Sequence, residues 1–241
     1  MMENKSKLNW ESFKEKLGSW DRKFYPFYLS GGFDPIYKQL KLFSSIGKVI
    51  CPESKNVFRT FSECPLDELK CIFVGLSPYH SLVNGQTIAD GIALSCSVTN
   101  YPQPSLDQWY NAQEFELYNG ICVPCIKNPD LKFLANQGVL LLNAGLTCEA
   151  NVANSHGKLW EPFMQFLFEE AIPNVNVPIV FLGQQAAKLE KYISPFTDVF
   201  RLSHPASASY RSEVWNSEGV FKKLNTVFKE RNNETIQWIE E

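Results

Sequence analysis

Four short apolar runs limit what this chain can fold into: CIFVG (71–75), VLLLN (139–143), PIVFL (178–182) and VFRLS (199–203). Each has strand length. None alternates cleanly between apolar and polar residues, which is the pattern of strands covered on both faces. Helix-length segments lie between and after them, at Ser105 to Tyr118, Trp160 to Ala171, Gln184 to Tyr192 and Val214 to Arg231. Strands alternating with helices build βαβ units and hence a parallel sheet. The spacing predicts an α/β fold of three layers, α/β/α, around a central four-stranded, mostly parallel sheet. Ahead of it, Trp10, Phe13 and Leu17 recur at helical spacing, and Asp34-Pro35 marks a helix start within 31–44. No repeat, low-complexity linker or composition break divides the 241 residues, so they read as a single domain, 1–241.

Charge and cysteine content narrow the function classes. The net charge of -3 argues against a chain that coats nucleic acid non-specifically, while leaving room for a local site. No apolar run reaches the ~18 residues of a membrane helix, and MMENKSKLNW has no signal-like apolar region. The expectation is an intracellular protein with no membrane partner and no disulfides. Among seven cysteines only Cys122 and Cys125 form a CxxC pair. Zinc and iron–sulfur sites call for a second pair or histidines at ligand spacing. None is evident, so the pair reads as structural thiols rather than a metal or redox centre, and no metal or cofactor is expected.

The C-terminal ends of parallel strands share one edge, where such sheets bind ligands. Three polar clusters follow three of the strands: LSPYH (76–80), Asn143, and HPASAS (204–209). Taken singly, a strand-end Asn reads as a turn residue and a His-Pro as a loop. In a parallel sheet all three converge.

These clusters carry a family resemblance. GLSPYH (75–80), GIALS (91–95), LLLN (140–143) and HPASAS (204–209) resemble the uracil-DNA glycosylase motifs Gly-Gln-Asp-Pro-Tyr-His, Gly-Leu-Ala-Phe-Ser, Leu-Leu-Leu-Asn and His-Pro-Ser-Pro-Leu-Ser. KNVFRTF (55–61), PSL (104–106), the block 136–163, VFLGQQAAKLEKYI (180–193) and NNETIQWI (232–239) extend the resemblance over 50–239. It implies base-excision repair: a monomeric, cofactor-free hydrolase whose partner is DNA and which cleaves the N-glycosidic bond of a flipped uracil. Carried over residue by residue, His204 and the main-chain N–H groups around Leu76 and Ser77 hydrogen-bond uracil O2. Asn143 reads the N3 and O4 edge, and Tyr79 crowds C5 to exclude a methyl group.

The departures from the motifs are as informative. The family aspartate that orients water and faces the cationic sugar is Ser77, so the catalytic positions are Ser77 and His204. The preceding glutamine is Leu76, the stacking phenylalanine is Leu94, the DNA wedge is Ala208, and a phosphate-contacting serine is Ala206. Ser105 and Ser209 remain as phosphate contacts. Asp90, in a lengthened loop 81–90, is read either as a substitute carboxylate or as a surface turn cap. Ser77 with His80 and His204 does not make a serine hydrolase, since the Gly-x-Ser-x-Gly elbow and an acidic orienter are both missing. Two readings follow: a glycosylase of reduced rate or shifted base preference, or a catalytically silent module that binds uracil-containing DNA or a protein partner.

Overall fold

The structure is a computed structural model that describes residues 8–121, 126–172, 177–211, 213–231 and 233–240. The Cys122/Cys125 pair lies outside the described residues. Four parallel strands form the central sheet: β1 (Cys71–Gly75), β2 (Val139–Asn143), β3 (Ile179–Leu182) and β4 (Val199–Leu202). Their order is β2-β1-β3-β4. The first three are buried at every residue, as their unbroken apolar runs require. β4 is the edge strand and half-exposed, so double coverage does not extend to it.

Register decides where the polar clusters fall. Gly75 pairs with Asn143 and Leu182 with Leu202. The ends of all four strands are therefore level, and the segments that leave them emerge side by side.

Helices flank the sheet: α1 (Asp21–Leu29), α2 (Phe33–Ser45), α3 (Pro104–Leu117), α4 (Gly157–Phe166), α5 (Pro205–Arg211) and α6 (Val220–Glu230). Sequence and structure differ mainly at their ends. The expected helix over 160–171 starts at Gly157 and loosens into a π turn, Leu167–Ala171. The one over 184–192 is a 3-10 turn, Ala186–Tyr192. The last begins at Val220 rather than Val214, after a left-handed Gly219. The N-terminal helix is broken into Trp10–Lys14, a 3-10 turn Gly18–Trp20, and α1. The chain after His204, where a His-Pro taken singly reads as a loop, is helical from Pro205. The loop 81–90 contains a small hairpin, Leu82–Val83 with Gln86–Thr87, closed by Asn84 and Gly85 at φ 51° and 77°, both in the left-handed region that such turns require. No helix is long and apolar enough to cross a membrane among the described residues.

Two aromatic clusters tie helices to the sheet. Phe24, Phe61 and Phe163 meet edge to face, with centroids 5.0–6.0 Å apart, beneath Trp20, Phe58 and Trp160. On β1, Phe73 packs edge-on to Trp109 of α3 at 4.9 Å and to Trp238 at 5.9 Å. Such pairs add ~0.5–1.5 kcal/mol beyond the area they bury. Phe61→Ala is expected to cost ~3–5 kcal/mol in urea unfolding, since it leaves a void among rings that cannot close it. Phe196→Ala, at a ring 92% exposed, is expected to stay within ~0.5 kcal/mol of the parent.

Candidate active site

The loop Leu76–Ser81, the segment 89–95, Asn143 and His204 meet around one cavity of about 630 Å³ at the C-terminal edge of the sheet. A larger groove of about 790 Å³ runs beside α2, but its lining of Phe33, Ile36, Val57 and neighbours includes none of Ser77, Tyr79, Asn143 and His204. The chemistry therefore belongs to the smaller cavity.

Asn143 ends β2 and lines the cavity. Its amide makes no hydrogen bond to the protein among the described residues, so a donor and an acceptor are left for a ligand. The N–H groups of Leu76 and Ser77, just past β1, likewise find no acceptor there. His204 takes a defined tautomer. Its Nδ1 accepts the Ala206 N–H at 3.1 Å, so in the neutral ring Nε2 carries the proton. Burial lowers its pKa from the ordinary 6.5, which favours that neutral form. His80 also lines the cavity, and its buried Nδ1 has no partner among the described residues.

Tyr79 is held as a wall. Its hydroxyl donates to the Leu94 carbonyl at 3.1 Å and pairs with Ser105 Oγ at 2.7 Å. Burial keeps the phenol protonated well above the usual tyrosine range. Ser105 was expected to present its hydroxyl to phosphate; it is instead 4% exposed and committed to Tyr79. Leu94 lines the cavity with φ 65°, a left-handed conformation that costs a non-glycine residue ~1–2 kcal/mol. Gly91, in the same wall, has φ 95°, and a Cβ there would sit 1.8 Å from the Asn56 carbonyl oxygen.

Asp90 is neither a surface cap nor a substitute carboxylate. It is 1% exposed and absent from the cavity lining. Its two oxygens accept Ile92 N–H (3.2 Å), Ser95 Oγ–H (2.6 Å), Ser97 N–H (2.9 Å) and the Arg59 guanidinium (2.8 Å). Arg59 reaches on to both oxygens of Asp130 at 2.8 and 2.7 Å. Among the described residues, no Asp or Glu lines the cavity at all.

Ser77 lines the cavity, and its Oγ accepts the Asn154 N–H at 3.1 Å. Behind the loop, Cys148 Sγ donates to the Pro78 carbonyl at 3.6 Å and Cys51 Sγ to that of His80 at 4.0 Å. These two cysteines pair across two short antiparallel strands. Ala206 and Ser209 line the cavity, with Ser209 Oγ donating to the Pro104 carbonyl at 3.1 Å. Ala208 does not: it is 5% exposed, turned into the core of α5 packing. Sequence reasoning passed over Arg59, Asn154, Cys51 and Cys148. Arg59 lies inside KNVFRTF, and Cys148 and Asn154 inside the block 136–163, but nothing in those stretches announces their partners.

A family model described as the uracil DNA glycosylase superfamily matches residues 61–232. A curated uracil-DNA glycosylase of Streptococcus pneumoniae serotype 19F (strain G54) is 34% identical over 195 residues, covering 79% of this chain and 84% of that protein. Among solved structures, mimivirus uracil-DNA glycosylase superposes with a TM-score of 0.79 at 22% identity, covering 97% of this chain and 90% of that one. The UNG protein of Nitratifractor salsuginis does so with a TM-score of 0.61 at 16% identity, covering 90% and 97%. These two structural likenesses are likenesses of fold.

Asp90→Ala removes one of the carboxylates on Arg59 and leaves the Ile92 N–H, Ser95 hydroxyl and Ser97 N–H without their buried acceptor. It is expected to destabilise the fold by ~3–5 kcal/mol in chemical unfolding. His204 sets a pH dependence. Its folded pKa lies below 6.5, so as pH falls the unfolded chain binds that proton first, and stability is lost below about pH 6.5 and regained above it. His156, also lowered by burial, contributes with the same sign. Urea midpoints from roughly pH 5 to 7.5 are expected to show a shallower acid-side loss in His204→Gln than in the parent.

Proposed function

We infer, for a chain that belongs to the uracil-DNA glycosylase superfamily, that this protein takes a flipped uracil into the cavity and hydrolyses its N-glycosidic bond at a rate held down by Ser77. The observation that carries the reading is one cavity lined by Tyr79, Asn143 and His204 with no carboxylate among its described lining residues.

The anion side of the reaction is provided for. As the C1′–N1 bond breaks, its electron pair moves into the uracil ring and charge builds on O2. His204 Nε2–H and the unpaired N–H groups of Leu76 and Ser77 are the donors for that oxygen, each worth ~3 kcal/mol when well aimed in a dry site. The open amide of Asn143 offers one donor and one acceptor, a pattern that suits uracil and opposes cytosine. The anchored ring of Tyr79 fills the space that a C5 methyl would need. Leu94 supplies apolar contact without a flat stacking face.

The cation side is poorer. The hydroxyl of Ser77 holds a water but brings no negative charge to the forming oxocarbenium ion. In a low-dielectric pocket that loss is worth ~2–4 kcal/mol, or ~30- to 1000-fold in rate. We take the protein to act on DNA as an intracellular monomer, without metal or cofactor. The missing carboxylate also favours a second reading, in which the cavity binds uracil-containing DNA and leaves the bond intact.

A uracil-containing single-stranded oligonucleotide, incubated with the protein and then treated with alkali, separates the two. Slow strand scission is expected from the parent, and scission ~30- to 1000-fold faster from Ser77→Asp. If neither protein cuts while both prefer uracil-containing DNA, the binding module is the function. If there is neither cutting nor preference, the cavity does not read uracil.

A further inference from the structure

The segment from Cys96 to Gln103 bridges two parts of the cavity rim. Ser95 lines the cavity on one side of it, and Gln103, Pro104 and Ser105 line it on the other. Its middle carries Tyr101, 61% exposed. The backbone beneath that ring is fixed. The Tyr101 carbonyl accepts Thr99 Oγ–H at 2.6 Å and Cys96 Sγ–H at 3.8 Å, and Cys96 N–H donates to the Pro129 carbonyl at 2.8 Å. The ring itself has no hydrogen bond or ring contact among the described residues.

A single exposed tyrosine is ordinary, and a second observation gives this one a use. Flipping a nucleotide leaves a gap in the base stack that a protein normally has to fill. The wedge position implied by the family resemblance is Ala208, short and buried in the packing of α5, so it cannot reach DNA. The Ser209 hydroxyl meanwhile clasps the Pro104 carbonyl, which sets the His204–Ser209 rim against the C-terminal end of the Tyr101 segment. Across 96–105 and 204–209, Tyr101 is the one Phe, Tyr or Trp, and neither segment contains a Lys or Arg. What this rim offers DNA is a flat apolar face rather than a charge.

We propose that Tyr101 is a base-stacking residue, whose ring packs on the nucleobase beside the flipped nucleotide and does the work of the missing wedge. The proposal rests on the reading of the cavity as the pocket for a flipped base. Its ligand is an unstacked nucleobase of single-stranded or opened DNA, taken with little sequence preference because every base has a π face.

The test uses the full chain, Tyr101→Ala and Tyr101→Phe, with oligonucleotides carrying 2-aminopurine beside a cleavage-resistant uracil nucleotide or beside thymine. The parent and Tyr101→Phe are expected to quench 2-aminopurine fluorescence, and Tyr101→Ala to leave it bright. Removing the ring is expected to raise Kd ~5- to 150-fold without changing the slope of log Kd against log salt, because no phosphate contact is lost. Thermal melting of Tyr101→Ala is expected to match the parent, since the ring is exposed. Quenching by Tyr101→Ala equal to the parent's, with affinity within about twofold of it, overturns the stacking role. Equal parental affinity for uracil and thymine DNA counts against the uracil reading instead. In that case a loss of affinity by Tyr101→Ala on both DNAs still supports stacking.

Discussion

Asp90 leaves water entirely and receives four donors in exchange, one of them the Arg59 guanidinium. A buried carboxylate is tolerated only when its lone pairs are filled, because the desolvation penalty otherwise exceeds the attraction. Here they are filled by the segment that becomes the cavity wall. Arg59 lies ahead of β1, Asp90 follows it, and Asp130, a second anion on Arg59, precedes β2. One cation thus gathers three stretches of chain that the sheet alone does not bring into contact. With the wall pinned, Leu94 keeps its left-handed backbone, its carbonyl keeps the Tyr79 hydroxyl, and Ser105 secures the same hydroxyl from α3.

The site that results separates recognition from rate. In the proposed reading, recognition rests on neutral groups: an open amide, main-chain N–H groups at the end of β1, a tyrosine ring, and a histidine whose neutral form burial favours. All follow from strand register and loop anchoring. In the same reading, rate depends in addition on negative charge near the sugar, and none of the described lining residues carries a carboxylate. The buried carboxylate nearest in sequence, Asp90, is spent on structure.

Much of this was legible in the sequence. The strands declared themselves because three of them are covered on both faces, and such strands need unbroken apolar runs. The convergence of Ser77, Tyr79, Asn143 and His204 follows from parallel topology, and the structure gathers all four around one cavity. What stayed hidden is what depends on distant partners. Asp90 looks like a turn residue until Arg59 is seen beside it. Ser105 looks available until Tyr79 claims it, and Ala208 until its helix turns it inward. Cys51 and Cys148 meet only through a two-residue strand pair that no periodicity announces. The Asn84-Gly85 hairpin was readable in principle, since that dipeptide is among the stronger turn signals.

The hydroxyl of Ser77 is steadied by the main-chain N–H of Asn154. That donor belongs to the main chain, so it does not depend on the side chain at position 154 so long as that residue is not proline. The anchor that steadies the hydroxyl of Ser77 is thus independent of the side chains that line the cavity.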